Sequence, residues 1–335
     1  MFGRRLINTG GEAVIAYFNT VTYTGNGSTQ SITGVGFKPD FVWIKSRSAA
    51  TSHKLTDIVR GTTKAVVSNT TAAETTDTNG LTSFGSDGFT LGTDSVYNNS
   101  GATYVAWCWK AGVSAVTNTD GSITSEVSAN VDAGFSIVSY TGNHTNSTVG
   151  HGLNSAPEMV IIKALNSGTA NWCVYHSGIG AYGGVFLSLT NAAQYQSNLW
   201  LDTVPTSTVF SIGQSDVNVN SSGIIAYCFH SVAGFSKFGS YTGNGSATGT
   251  TVTTDFEPAF VMIKKINSTG NWVILDNKRD TSNPIDKTLN PNLSNAESTA
   301  NNIDFNATTF QLKSTNADTN ANTSTYIYMA FANQF

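Results

Sequence analysis

The chain has 335 residues, 17 Lys+Arg against 21 Asp+Glu, a formal net charge of -4, and only 11% charged residues, where average soluble proteins carry about 25%. A slightly acidic balance with no Lys/Arg cluster among aromatics excludes nucleic-acid binding; 39% hydrophobic and 11% aromatic residues exclude a disordered chain. Few charges, six prolines and abundant Thr, Ser, Asn and Gly favour β-structure with polar turns.

The first 14 residues, MFGRRLINTGGEAV, carry two arginines but no apolar run of signal-peptide length, and nothing later approaches a membrane span. The expectation is a protein made and kept in a cytoplasm, with no membrane insertion and with residues 1–14 as an N-terminal arm. From there one pattern is written three times. Tyr-Thr-Gly-Asn begins at Tyr23, Tyr140 and Tyr241, spaced by 117 and 101 residues. A proline six residues before a lysine follows each time, in FKPDFVWIK, SAPEMVIIK and FEPAFVMIK, ending at Lys45, Lys163 and Lys264, and a closing run (TYVAWCW from Thr103, GIIAYCF from Gly223, TYIYMAF from Thr325) completes each copy. Three landmarks in one register predict tandem repeats. The runs are short, β-branched or aromatic, and bounded by Gly, Asn, Asp and Ser. No run keeps a helical apolar period, and NTTAAETTDTN, the most helix-like stretch, reads as a loop. The predicted fold is therefore all-β: three tandem antiparallel β-sandwich modules of about 100 residues, jelly-roll or lectin-like, at 15–112, 134–232 and 233–335. Residues 113–133 form a linker with a short hairpin at Asp120-Gly121. Tyr-Thr-Gly-Asn is expected to end the first strand of each module, with Gly-Asn supplying the positive φ of a tight turn.

Alternation within the runs makes the sharpest prediction. Phe41, Trp43 and Lys45 point one way and Val42 and Ile44 the other; Val105, Trp107 and Trp109 oppose Ala106 and Cys108. Both faces are apolar, whereas a sandwich strand ordinarily keeps one wet face. The second face needs a cover, from the module's own loops or from a neighbouring module or chain. Phe41, Trp43, Trp107 and Trp109 are the interface candidates, and contact between chains would make the protein a homo-oligomer, with a trimer favoured.

Residues that carry chemistry are sparse. Cys108, Cys173 and Cys228 lack any metal-ligand spacing and read as buried thiols. His144 and His151 share one loop, a spacing that would allow a metal clamp between chains around a symmetry axis. DSVYNNSG and SDVNVNSSG resemble a calcium loop only faintly and read as polar hairpins. Asp57 and Arg60 recur as Asp276 and Arg279, where the second copy has His176 and Ile179. An Asp-x-x-Arg pair repeated in this way reads as a structural clamp. No paired acids survive comparison among the copies, so the chain is read as no enzyme, without cofactor or metal; a glycan-degrading activity is the weakest alternative.

The combination of MFGRRLINTGG, GFKPDFVWIKSRS, SDGFTLGTDSVYNNSGATYVAWCWKAG, NTDGSITSEVSAN and GFSIVSYTGN resembles virion-associated structural proteins of marine bacteriophages, of tail-fibre or appendage type. The likeness implies a place in a virion, assembled in the host cytoplasm among other virion proteins, and implies no reaction. A carbohydrate-binding receptor-recognition protein is the alternative. Were the arm docked on a particle, the third module would face the host, so contact with a surface glycan is expected on LDNKRDTSNPIDKTLNPNLSNAESTANNIDFNATTF, with Asp276, Lys278, Arg279 and Asp280 as its charge cluster.

Overall fold

The computed structural model describes residues 16–112 and 114–332; the arm at 1–14 lies outside the described residues. Among these the chain is all-β, apart from three one-turn helices. One four-strand order occurs three times: opening strand, closing strand, central strand, flanking strand. In unit 1 these are Phe18–Thr24, Thr103–Trp109, Phe41–Ser46 and Lys54–Asp57; in unit 2 Phe135–Thr141, Gly223–Phe229, Met159–Ala164 and Cys173–His176; in unit 3 Ser236–Thr242, Thr325–Ala332, Pro258–Lys265 and Trp272–Asp276. All pairings in these inner sheets are antiparallel, and Tyr23, Tyr140 and Tyr241 face Tyr104, Ile224 and Tyr326 in the same register.

Each inner sheet packs one face on a small outer sheet. Unit 1 uses Gln30–Ile32, Gly88–Leu91 and Leu81–Gly85, and unit 3 uses Thr251–Thr253, Thr309–Leu312 and Ile303–Asn306. Unit 2 pairs only Ser147–Gly150 with Val209–Ile212 in its outer layer, and has the helix Ser197–Trp200 in the stretch before Val209. Val42, Ile44, Ala106 and Cys108 face this layer in unit 1, with Phe89 and Leu91.

The opposite faces of all three inner sheets meet in one further core. Phe41, Trp43, Trp107 and Trp109 of unit 1 join Met159, Ile161, Tyr227 and Phe229 of unit 2 and Phe260, Met262, Met329 and Phe331 of unit 3. Phe18 stacks on Phe331 at 5.0 Å, Phe41 on Tyr227 at 4.3 Å, and Trp109 meets Phe260 edge-on at 5.9 Å. The central gap has a volume of about 10 Å³, roughly one water, so the centre is filled. The neighbouring units therefore cover the second apolar face, and these four aromatics are spent within one chain, at 0–3% exposure.

The hairpin expected at Asp120-Gly121 is present, with Val116–Asn118 paired to Ser125–Asn130, and Ser125–Asn130 also pairs with the opening strand of unit 2, extending its sheet. One expectation changes. The Gly of Tyr-Thr-Gly-Asn does not need positive φ. Gly25, Gly142 and Gly243 lie where an added Cβ would meet a backbone oxygen at 2.3, 2.2 and 2.4 Å, and the positive φ falls two residues on, at Gly27, His144 and Gly245. Close approach is the requirement. It lets Asn26, Asn143 and Asn244 donate their backbone N–H to Asn98, Asn218 and Asn320 Oδ1, while those side chains donate back to the first asparagines. The tyrosine hydroxyls donate to the carbonyls of Tyr97, Val217 and Thr319. The motif latches the opening strand to the turn before the closing strand.

Trp43→Asp places a charge in the shared core, where no partner awaits it. The expected outcome is loss of folded protein by circular dichroism, whereas a folded chain that only sediments as a smaller species would put Trp43 between chains.

Candidate functional site

The seams between units hold the buried Asp-Arg pairs and the buried His53 and His176. Each flanking strand faces the closing strand of the next unit, and Trp107, Tyr227 and Met329 hold equivalent places in the closing strands. At the seam of units 1 and 2, Asp57 accepts from Arg60 Nε (2.6 Å), Tyr227 hydroxyl (2.8 Å) and the backbone N–H of Val59 and Arg60. Arg60 also donates to Glu74 (3.1 Å) and to the Leu55 carbonyl. At the seam of units 3 and 1, Asp276 accepts from Arg279 Nε (2.6 Å) and Trp107 Nε1 (3.0 Å), and Arg279 donates to Glu297 (3.1 Å) and the Ile274 carbonyl. Arg47 adds a two-pronged bond to Glu297, at 2.9 Å on each prong. Both Asp-Arg pairs are sealed from water. A buried carboxylate survives only when its lone pairs are filled, and here each is filled from its own loop and from the next unit. Burial, first, and Asp57 push the Tyr227 hydroxyl well above its ordinary value, so it stays a donor.

The seam of units 2 and 3 has no such charges. His176, Ile179 and Ala193 stand where the others have Asp, Arg and Glu, and Met329 stands where they have the Trp or Tyr donor. His176 Nδ1 accepts the Gly178 N–H (3.0 Å), which leaves Nε2 as the protonated nitrogen, donating to the Tyr328 carbonyl at 3.1 Å. Removing the aromatic donor would strand an aspartate, and removing the aspartate would strand an arginine. The replacements make chemical sense only together.

Backbone bonds close the ring in one sense. Glu74 N–H donates to the Leu165 carbonyl, Ala193 to Ile266, and Glu297 to Arg47, each at 2.8 Å. Trp172 Nε1 donates to Val67 O, Trp272 Nε1 to Phe186 O, and His53 Nε2 contacts Asn290 O at 3.0 Å. The repeated lysines belong to the same circuit. All three are fully buried, and each ammonium is caged by carbonyls: Lys45 by Ser46 and Ala49, Lys163 by Ala164, Ser167, Ala170 and Thr71 of unit 1, Lys264 by Lys265, Gly270 and Thr190 of unit 2. Burial pulls each down to about 8, which leaves it charged at neutral pH.

The residues expected at a host surface divide. Asp276 and Arg279 are 0% and 6% exposed and bound into the seam, so they leave that role; Lys278 is exposed and Asp280 half-buried, its carboxylate accepting the Asp286 N–H. The long segment around them is no set of free loops, since Ile285, Leu289, Ile303 and Phe305 are buried and Glu297 reaches unit 1. His144 and His151 cannot clamp a metal together, because His151 is buried with Nε2 on the Thr206 carbonyl and Nδ1 accepting the Leu153 N–H, while His144 is exposed. Among the described residues no three His, Cys, Asp or Glu side chains converge as metal ligands. The three cysteines are buried free thiols, pushed up chiefly by burial. DSVYNNSG contains a one-turn helix capped by Asp94 rather than a hairpin. Sequence reasoning missed Glu74 and Glu297, which follow their aspartates at unequal distances. The signal available was the joint loss of Asp, Arg and aromatic donor at one seam.

Two outcomes follow. Asp276→Ala leaves Arg279 buried without its nearest carboxylate and should cost about 3–5 kcal/mol, whereas Asp276→His, Arg279→Ile, Glu297→Ala and Trp107→Met together should cost less than the sum of the four single changes, measured by urea unfolding. Additive costs would contradict the coupled reading. The pH dependence has a fixed sign. Burial brings His151 and His176 down to about 4 and His53 well below its ordinary value. The unfolded chain therefore takes up protons below pH 6.5 that the folded chain refuses, and stability held in full above 6.5 falls toward pH 4, by up to ~1.4 kcal/mol per pH unit per histidine. Asp40, raised by burial to about 6, opposes this below pH 6, but as one group against three. His176→Gln should flatten the slope of the urea midpoint by one group, and a midpoint that rises on acidification from pH 6.5 would contradict the assignment.

No curated protein matches the chain. A family model described as a domain of unknown function (DUF7483) matches residues 14–334, which takes in all three units at once. The stretch that the family model spans is thus the whole three-unit ring, and the chain belongs to the DUF7483 family.

Proposed function

We propose that this protein is a non-enzymatic structural component of a bacteriophage particle, a fibre, appendage or decoration element. The observation that carries the reading is where the polar chemistry goes. The Asp-Arg clamps, the three caged lysines and His53, His151 and His176 are engaged in holding the block together. What faces solvent is largely Thr, Ser, Asn and Gly, a neutral surface suited to a passive building block. The apolar faces that argued for a homo-oligomer are covered within the chain, so one molecule supplies the pseudo-threefold block that a trimer would otherwise build. Attachment to other particle proteins then falls to the outer surface. Among the described residues the exposed large hydrophobics are Val116, Val131, Tyr182, Tyr195 and Val204, all between 116 and 204, which favours unit 2 and its hairpin as the contact side.

In particles purified on a density gradient from the source culture, peptides of this chain should co-band with the coat protein in constant ratio across the peak. Recovery only in the soluble fraction would contradict the proposal.

A further inference from the structure

Every inner sheet has two edge strands, and an edge offers backbone N–H and C=O groups to any extended chain. In unit 1 the opening strand turns Thr20 N–H onto its own Asn19 Oδ1 (2.9 Å). In unit 3, Ser236 N–H lies on the Val232 carbonyl (2.9 Å) and Phe238 N–H on Ser231 Oγ (3.2 Å). The flanking strands of these units are bridged in turn, Leu55 by Val66 and Ile274 by Leu289. Unit 2 closes its flanking side with Gly183–Phe186 and the two-residue strand Gln194–Tyr195, where Ala193 N–H is held by the Ile266 carbonyl and Gln196 N–H by that of Tyr182. On its other side Ser125–Asn130 covers the opening strand and Val116–Asn118 covers Ser125–Asn130. There the addition stops. Residues 114–117 and 119 are exposed, Val116 at 61%.

The ladder fixes which groups face outward. His230 N–H donates to the Gly134 carbonyl (2.9 Å), so alternate residues from Gly134 bond to the closing strand, and Phe135, Ile137 and Ser139 bond to Asn130, Ser128 and Glu126. Val127 and Ser125 then bond to Val116 and Asn118, which directs both backbone groups of Thr117 to solvent. Soluble proteins ordinarily guard such an edge with lysine, proline or a bulge. Residues 114–119 read SAVTNT, with no charge and no proline, and the register against Ser125–Asn130 is one-to-one.

We infer that two copies of the chain pair along this edge, antiparallel about a twofold axis at Thr117, so that their eight-strand sheets continue into one. Each Thr117 then exchanges both backbone bonds with Thr117 of the partner subunit. Val116 stands opposite Asn118 of the partner subunit, and the two Val116 side chains share a face on the diagonal, about 7–8 Å apart at Cα, covering what each alone leaves in water. Charge favours a second copy as the occupant. Residues 114–119 carry none to select a foreign strand of opposite sign, whereas a twofold contact needs only a patch complementary to itself. The nearest acids are held within their own hairpin, Glu126 by Thr117 Oγ1 (2.8 Å) and Asp120 by Asn118 Nδ2 (2.9 Å). Pairing sets the two Glu126 residues three strand spacings apart, about 14 Å, beyond a Debye length of about 8 Å, so like charge does not oppose it.

This contact is independent of whether the chain resides in a particle, and it uses none of the aromatics of the shared core. Strands this short bury less than the roughly 1,200 Å² of a stable interface, so the dimer should be weak, with a dissociation constant of about 10–100 µM. Sedimentation equilibrium of the full chain from about 5 to 500 µM should show the mass rising from one chain toward two. Thr117→Pro removes only the outward N–H and leaves the bonds through Val116 and Asn118 in place, and Val116→Lys sets two cations on one face. Both should keep the native urea midpoint and weaken association about tenfold or more. If Thr117→Pro fails to fold, Val116→Lys alone decides. A native chain that stays single throughout, or a dimer that either folded variant leaves intact, overturns the inference.

Discussion

A β-sheet with two apolar faces cannot stand alone in water, and each of the three inner sheets has two. One face is covered by the unit's own outer strands; the other is covered only by its counterparts in the other units. At roughly 25 cal/mol per Å² of apolar surface, an uncovered face of aromatic side chains outweighs the few kcal/mol of net stability a domain retains. The ring must close, and the first unit must meet the third as well as the second.

Closing the ring creates a second constraint. Strand ends and loops pushed into the seams carry polar groups that have left water, and each has to find a partner across the boundary. Two seams meet this with charge, an aspartate held by an arginine and by an aromatic donor of the next unit; the third does it with a neutral histidine on a backbone carbonyl. The same geometry thus accepts two chemistries, provided that all partners change at once. The lysine cages extend the circuit, because carbonyls of one unit hold an ammonium of the next.

Much of this was legible in the residues. The repeated landmarks predicted strands that are found in one register, and the alternation around Trp43 and Trp107 assigned each side chain to its observed face. Period-two patterning reports directly which side of a sheet a residue takes. The identity of the cover was not legible, since apolar residues attract any apolar partner and their spacing names none. Asp276 and Arg279 were legible as a structural clamp, which they form, but a charged pair in a polar stretch looks the same whether it is solvated or sealed, so their absence from the outer surface was not. The glycine of Tyr-Thr-Gly-Asn was assigned the wrong reason, because a need for positive φ and a need for close approach select the same residue.

The central claim is that three units form one cooperative block around a shared core, and differential scanning calorimetry of the full chain tests it most directly. One transition is expected, with a van't Hoff enthalpy equal to the calorimetric value, which for 335 residues should be about 230 kcal/mol near 60 °C. Separate transitions, each carrying about a third of that enthalpy, would show that the units fold independently and that the shared core does not bind them into one.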